Sequence, residues 1–186
     1  MSGEMQQNPD AASEKPAPYF RLLDAVFLVI VVCVIVVVVQ LGYTTYKEAS
    51  QTEATKRNAE AIQKWLEETG QARAEGKPVA IEACAKAAGK TWAACLEALT
   101  AAGGPFADLK NVAEEDGLVF AKKCDREQLN THGSILFEKG TPKIMDPSSF
   151  TFGGFEDGDS IEKDVQMKVL VCGRGFSVIK IAELKF

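Results

Sequence analysis

From Ala25 to Val39 every residue is apolar, and the run is framed by Leu22-Leu23-Asp24 before it and Gln40-Leu41-Gly42-Tyr43 after it. Counted from Leu22 to Tyr43 the segment has 22 residues. At about 1.5 Å per residue, a helix of that length crosses a hydrocarbon core of roughly 30 Å. Lipid offers no partner for backbone N–H and C=O groups, so a spanning segment of this kind must be helical, whatever the propensity of its many valines in water. A removable signal peptide would have an apolar part of only about 7–15 residues and a small-x-small cleavage site. This run is longer and is followed by Tyr43-Thr44, with no Ala-x-Ala, so a retained anchor is expected. The remaining chain lacks the apolar content to wrap such a helix in a soluble core.

Charges flanking the span are nearly balanced, Lys15 and Arg21 before it against Lys47, Lys56 and Arg57 after it. Cysteines supply a further orientation signal. Cys33 lies in the span, which leaves Cys84, Cys95, Cys124 and Cys172. Their separations, with 10, 28 and 47 intervening residues, match no zinc-ligand pattern. Two disulfides are expected, with four buried free thiols as the alternative. Pairing Cys84 with Cys95 and Cys124 with Cys172 is expected, although four cysteines allow three connectivities. Disulfides imply an oxidising compartment. The expectation is a single-pass protein of a bacterial inner membrane, its N-terminus cytoplasmic and its C-terminal domain periplasmic.

Residues 1–19 are polar and carry Pro9, Pro16 and Pro18, which reads as a disordered cytoplasmic tail. Residues 20–43 form the transmembrane helix. Residues 44–75 contain no Pro or Gly until Gly70, are rich in Ala, Glu, Lys and Gln, and place Ile62, Trp65 and Leu66 at helical spacing. They read as an exposed extension of the same helix, ended by Gly70 and by Gly76-Lys77-Pro78. Residues 76–186 form an α+β domain. Its first part carries Ile81, Cys84, Ala85 and Ala88, then Trp92, Cys95, Leu96 and Leu99, at helical period. Gly89 divides the two sets, Thr91 is an N-cap, and Gly103-Gly104 is a stop. A turn at Gly89 lets Cys84 and Cys95 face each other. A continuous helix would hold them about 16 Å apart by rise alone, too far for a disulfide.

From Gly117 the period shortens to that of strands. Residues 117–124, 134–139, 165–172 and 176–186 predict a four-stranded antiparallel sheet, with Gly173-Arg174-Gly175 as a tight link between the last two. The stretch 140–164 reads as a long loop rich in Gly, Pro and Asp, its function open. Phe150, Phe152 and Phe155 in it are a candidate contact patch, with folding back over the sheet as the favoured alternative.

Catalytic chemistry has no support here. No phosphate-binding glycine loop, no Cys-x-x-Cys and no nucleophile elbow occurs. The single histidine, His132, stands in a predicted turn between Thr131 and Gly133, and the acidic runs 114–116 and 156–159 lack calcium-loop spacing. A net charge of −5 argues against a nucleic-acid partner. No catalytic, cofactor-binding or metal-ligating residue is assigned.

The order of elements is a leader, a membrane helix running into an exposed helix, an αβ connection and four antiparallel strands with a late cysteine. This order resembles the type IV pilin and pseudopilin superfamily. The family's mature N-terminus has Phe at the first place and an acid at the fifth. Phe20-Arg21-Leu22-Leu23-Asp24 repeats that spacing. The resemblance implies that Asp24 pairs with a neighbouring subunit's terminal amine to set the register of assembly. Family members carry Gly, sometimes Ala, before the cut, where this chain has Tyr19, and their acid is normally Glu. The residue-level alternative is that Arg21 neutralises Asp24 on its own helix, both marking the cytoplasmic interface. Phe20, Arg21, Asp24 and Gln40 are therefore the candidate assembly residues. The expected role is non-enzymatic assembly in a pilus or secretion system. The partners would be the lipid bilayer and other membrane or pilin-like subunits, copies of this chain among them. The alternative is a single-pass accessory subunit that docks its outer domain on a larger membrane complex.

Overall fold

The structure is a computed structural model that describes residues 18–146 and 148–186. Most of the expected tail, and the side chain of Phe20, lie outside the described residues. The chain is α+β and divides into two units, Met1–Thr45 and Tyr46–Phe186. Helix α1 runs Pro18–Ala74. It starts two residues earlier than expected, on a proline whose fixed φ suits a first helical position.

Within the first unit, every described side chain from Arg21 to Thr45 is exposed. One helix is thus long and apolar enough to cross a membrane. Thr44 and Thr45 donate their hydroxyls to the Leu41 carbonyl at 3.0 and 2.8 Å, so neither leaves a side-chain donor unmet at the end of the apolar stretch.

In the second unit the rest of α1 buries one stripe: Thr55, Ala59, Ile62, Leu66, Thr69 and Arg73. These positions recur every three to four residues, the spacing of one helix face. Gly70 does not stop the helix. A Cβ there would lie 2.5 Å from the Lys185 carbonyl oxygen and 3.3 Å from the Phe186 Cα, so the glycine serves a close backbone approach while the helix continues to Ala74. The turn is made instead at Gly76, with φ of 67°.

A 3-10 turn, Glu82–Cys84, and helix α2, Trp92–Thr100, follow. Gly89, with φ of 77°, breaks the chain between them, and the Thr91 side chain accepts from the Ala94 N–H as N-cap. The first periodic set is therefore a single 3-10 turn and not a short α-helix. The break brings Cys84 and Cys95 to a Cα separation of 4.6 Å, and they are bonded.

The sheet has strands β1 Ile135–Pro142, β2 Phe150–Gly154, β3 Gln166–Cys172 and β4 Val178–Lys185, in the order β2-β1-β3-β4, all antiparallel. Two expected boundaries are corrected. Residues 117–124 do not form a strand. Their backbone pairs with β1 only at the parallel bridge Phe120↔Ile135, because β2 takes the rest of that edge from Glu138 to Pro142. The chain then leaves the edge to reach the Cys124–Cys172 disulfide. The missing strand comes from the expected loop. β4 also begins at Val178, not residue 176. Phe176 sits in a 3-10 turn, Arg174–Phe176, with φ of 59°, and packs beside Leu136, Leu170 and Cys172 on the outer sheet face.

The core lies on the other face. Ile135 and Phe137, Met167, Val169 and Val171, and Ala182 and Leu184 join Ile62, Leu66, Trp92, Leu99 and Phe186 in one cluster. The uneven pattern of β4 has a local cause. A register shift at Val169/Leu170 inserts one extra residue, so Val171 faces Ile179 while Val169 faces Ala182. The segment after β2 straps this core. Trp92 donates its N–H to the Asp159 carbonyl at 2.9 Å, Ile161 donates to the Lys90 carbonyl at 3.0 Å, and Gly89 donates to the Glu162 carboxylate at 2.8 Å.

Candidate functional site

Two surfaces offer themselves, one in each unit. The first is the apolar face of α1. Leu, Ile, Val and Phe side chains from Leu22 to Leu41 are 39–68% exposed, a continuous apolar surface, whereas the exposed large apolar residues of the second unit stand singly or in pairs. Such a surface is unstable in water and at home in lipid. Arg21, Asp24 and Gln40 are exposed on it. Among the described residues, neither Arg21 nor Asp24 enters an ion pair, so an Arg21–Asp24 bridge along the helix is not formed. Asp24 and Gln40 are 16 residues apart, about 24 Å by rise and on nearly opposite faces. The structure therefore does not gather the polar positions into one site. It leaves Asp24 as a lone carboxylate at one end.

The second surface is a cleft of about 350 Å³ in the outer unit. Its floor is aromatic. Trp92 stacks on Phe155 at 4.9 Å and meets Phe137 edge-on at 5.0 Å, and Phe137 lies 5.5 Å from Phe120. Leu96 and Ala93 of α2 line one wall, and Ala121 lines another. The rim carries Glu97, Glu156, Asp157 and Lys122. Lys122 pairs with Asp157 at 2.9 Å, whereas Glu97 and Glu156 form no ion pair among the described residues. The cleft is thus apolar below and net negative above. Composition gave no signal for it, because its walls come from α2, from the segment before β1, and from the strap.

The three expected contact phenylalanines are split. Phe155 is buried in the core beneath the cleft. Phe150 and Phe152 lie half-buried on β2, and the Lys168 ammonium sits 3.5 Å above the Phe152 ring. They are part of the sheet and do not form one patch with Phe155. An apolar surface appears instead at the β1–β2 turn, where Ile144 and Met145 are 99% and 96% exposed. Two apolar residues inside a stretch of Pro, Asp and Ser were the available sequence signal.

The cysteines pair as expected. Cys124 and Cys172 are bonded with a Cα separation of 5.3 Å, and only Cys33 is free. His132 lies 3.4 Å from the Glu114 carboxylate and beside the Phe176 ring. No group of three metal-ligating side chains occurs among the described residues. Comparison with known proteins found no matching family model, no similar curated protein and no similar solved structure.

Proposed function

We propose that this chain is a membrane-anchored assembly protein of pilin-like design, acting through its helix and its outer surface and not by catalysis. One observation carries the reading. A single helix, α1, presents an unbroken apolar surface over its first half, and its second half contributes the stripe Thr55–Arg73 to the core of an α+β domain. A helix used only as a tether has no need to be built into the domain it holds. A helix that transmits the position of its domain to neighbours does. Asp24, exposed and without an ion-pair partner, is the register device in this reading. Association in lipid gains nothing from apolar contact alone and depends on packing and polar groups. The two disulfides favour an oxidising compartment for the domain, hence a periplasmic placement with the N-terminus in the cytoplasm.

Tyr19 supports a second reading. Without the small residue that precedes a prepilin cut, the leader is retained, no amine forms at Phe20, and the chain serves as an accessory subunit beside a larger membrane complex. Intact mass of the purified protein separates the two. A mature N-terminus at Phe20 supports the filament subunit, and retained Met1 supports the accessory subunit. Substituting Asp24→Ala tests both at the membrane. Loss of partner recovery with insertion intact is expected, and unchanged recovery removes Asp24 from the assembly role.

A further inference from the structure

The turn between β1 and β2 exposes Ile144 and Met145 almost completely, with Lys143 beside them. Lys143 enters no ion pair among the described residues, and the exposed Asp146 carboxylate is held to its own loop, accepting from the Ser148 N–H at 3.1 Å and from the Ser148 hydroxyl at 2.5 Å. The tip therefore offers two aliphatic side chains and, next to them, the Lys143 ammonium, with the Asp146 charge tied to the Ser148 side of the turn. The aromatic cleft offers the complement: an apolar floor, and two unpaired carboxylates, Glu97 and Glu156, on its rim. Its 350 Å³ equals the liquid volume of about a dozen waters, enough to seat two aliphatic side chains.

The tip does not reach the cleft of its own chain. Phe137, in the cleft floor, is five residues before Pro142, and β1 stays paired with β2 out to Pro142↔Phe150. That places the start of the turn about 17 Å away along the strand. We propose that the Lys143-Ile144-Met145 tip of one copy inserts into the Trp92/Phe137/Phe155 cleft of a second copy of this chain, with Lys143 facing Glu97 and Glu156. Tip and cleft are different surfaces, so the contact is head-to-tail. Each copy keeps one free tip and one free cleft, and the contact repeats into a ring or a filament. The inference rests on the assembly reading for its partner and adds the outer-domain contact to it.

The test places a photo-crosslinking benzophenone amino acid at Ile144 of the full chain in native membranes. It is co-expressed with a second, differently tagged copy. Irradiation is expected to join the two tags, with the adduct mapping by mass spectrometry to residues 92–97, 120–122 or 155–157 of the receiving copy. Lys143→Glu in the donor is expected to lower the yield to the unirradiated background. Glu97→Lys with Glu156→Lys in the receiver is expected to restore it. Intact disulfides in each variant, checked by non-reducing peptide mapping, show that the domain has folded. An adduct only to another protein, to lipid or elsewhere on this chain, or no adduct from the folded protein, overturns the proposal. So does a yield indifferent to both charge reversals. An Asp24→Ala chain that loses its partners yet keeps the adduct leaves helix association separate from the tip contact. An Asp24→Ala chain unchanged in both leaves the tip contact standing and the helix reading refuted.

Discussion

Asp164 is held by two lysines, Lys86 and Lys185. Hydrogen bonding to Lys185 and then to Lys86, at 2.8 and 2.7 Å, holds its pKa down to about 2. Because the folded value lies below the unfolded one, the stabilisation is present above about pH 4 and is lost as pH falls through about 2. With a side chain still 24% exposed, its size is about 1–2 kcal/mol after allowance for solvent screening. Asp164→Asn is expected to lower stability at pH 7 by that amount and to flatten the loss between pH 4 and 2. Denaturant titration across this range measures both effects, and an unaltered acid limb would show that the pairs are not coupled to folding. Nearby, Arg73 is 3% exposed, lies 4.1 Å from the Phe186 ring centroid and donates to the Ile161 carbonyl. Burial lowers its pKa, opposed by the Asp164 charge, and its Nε and Nη1 have no partner among the described residues. Such a group is costly to truncate and cheap to replace. Arg73→Ala is expected to destabilise by about 3 kcal/mol, whereas Arg73→Met is expected to fall within about 1 kcal/mol of the parent. Equal losses for the two would mean that the charge itself, and not the filled volume, holds this corner.

At the scale of elements, the first half of α1 was legible because an apolar run of spanning length must be helical in lipid, its second half and α2 because their apolar positions follow a helical period, and β3 because Met167, Val169 and Val171 alternate with Gln166 and Lys168. What was misread depends on partners that sequence does not display. Gly70 looks like a helix stop, but its function is set by Lys185, 115 positions later. Gly70→Ala is expected to cost about 1–3 kcal/mol by overpacking, against a helix-propensity gain of about 1 kcal/mol. Gly42→Ala, at a position with no neighbour within 4 Å, is the control. Residues 117–124 have strand composition, yet β2 had already taken their place on β1, and only tertiary competition decides that. The floor of the cleft was invisible for the same reason, since Trp92, Phe137 and Phe155 come from three elements. The Cys84–Cys95 disulfide is legible from a turn at Gly89, and Cys124–Cys172 is the pairing that remains. Their loops differ in length, 11 against 48 residues, so closure entropy ranks them at about 3 and about 4 kcal/mol. Replacing each pair by alanines should therefore lower the denaturant midpoint more for Cys124–Cys172. A reversed order would show that burial of the Cys84–Cys95 bridge in the core outweighs chain entropy.

The whole molecule is organised by a division at Thr45 and Tyr46. Every residue of the main core, from Ala59 to Phe186, lies beyond that point, as do both disulfides. Ion pairs that join distant segments among the described residues, such as Lys86 and Lys185 to Asp164 and Arg174 to Glu48, also fall within the second unit. Before the division, the described chain is a helix whose side chains from Arg21 to Thr45 are all exposed, a large apolar surface that water does not favour. These facts separate what folds the domain from what places it. A chain starting at Tyr46 and made in an oxidising compartment is expected to be soluble, to hold both native disulfides and to unfold in one cooperative transition. Its part of α1 remains helical because Ile62 and Leu66 are buried in the core, and not by propensity, since an isolated helix of this length is marginal in water. The full chain is expected to stay with membranes through alkaline carbonate extraction, and the truncated chain is not. Circular dichroism with a denaturant series, run beside the extraction, tests both halves at once. A truncated chain that aggregates or melts without cooperativity would mean that the first unit contributes to folding as well as to anchoring. The assembly reading would then need the span as a structural part of the domain.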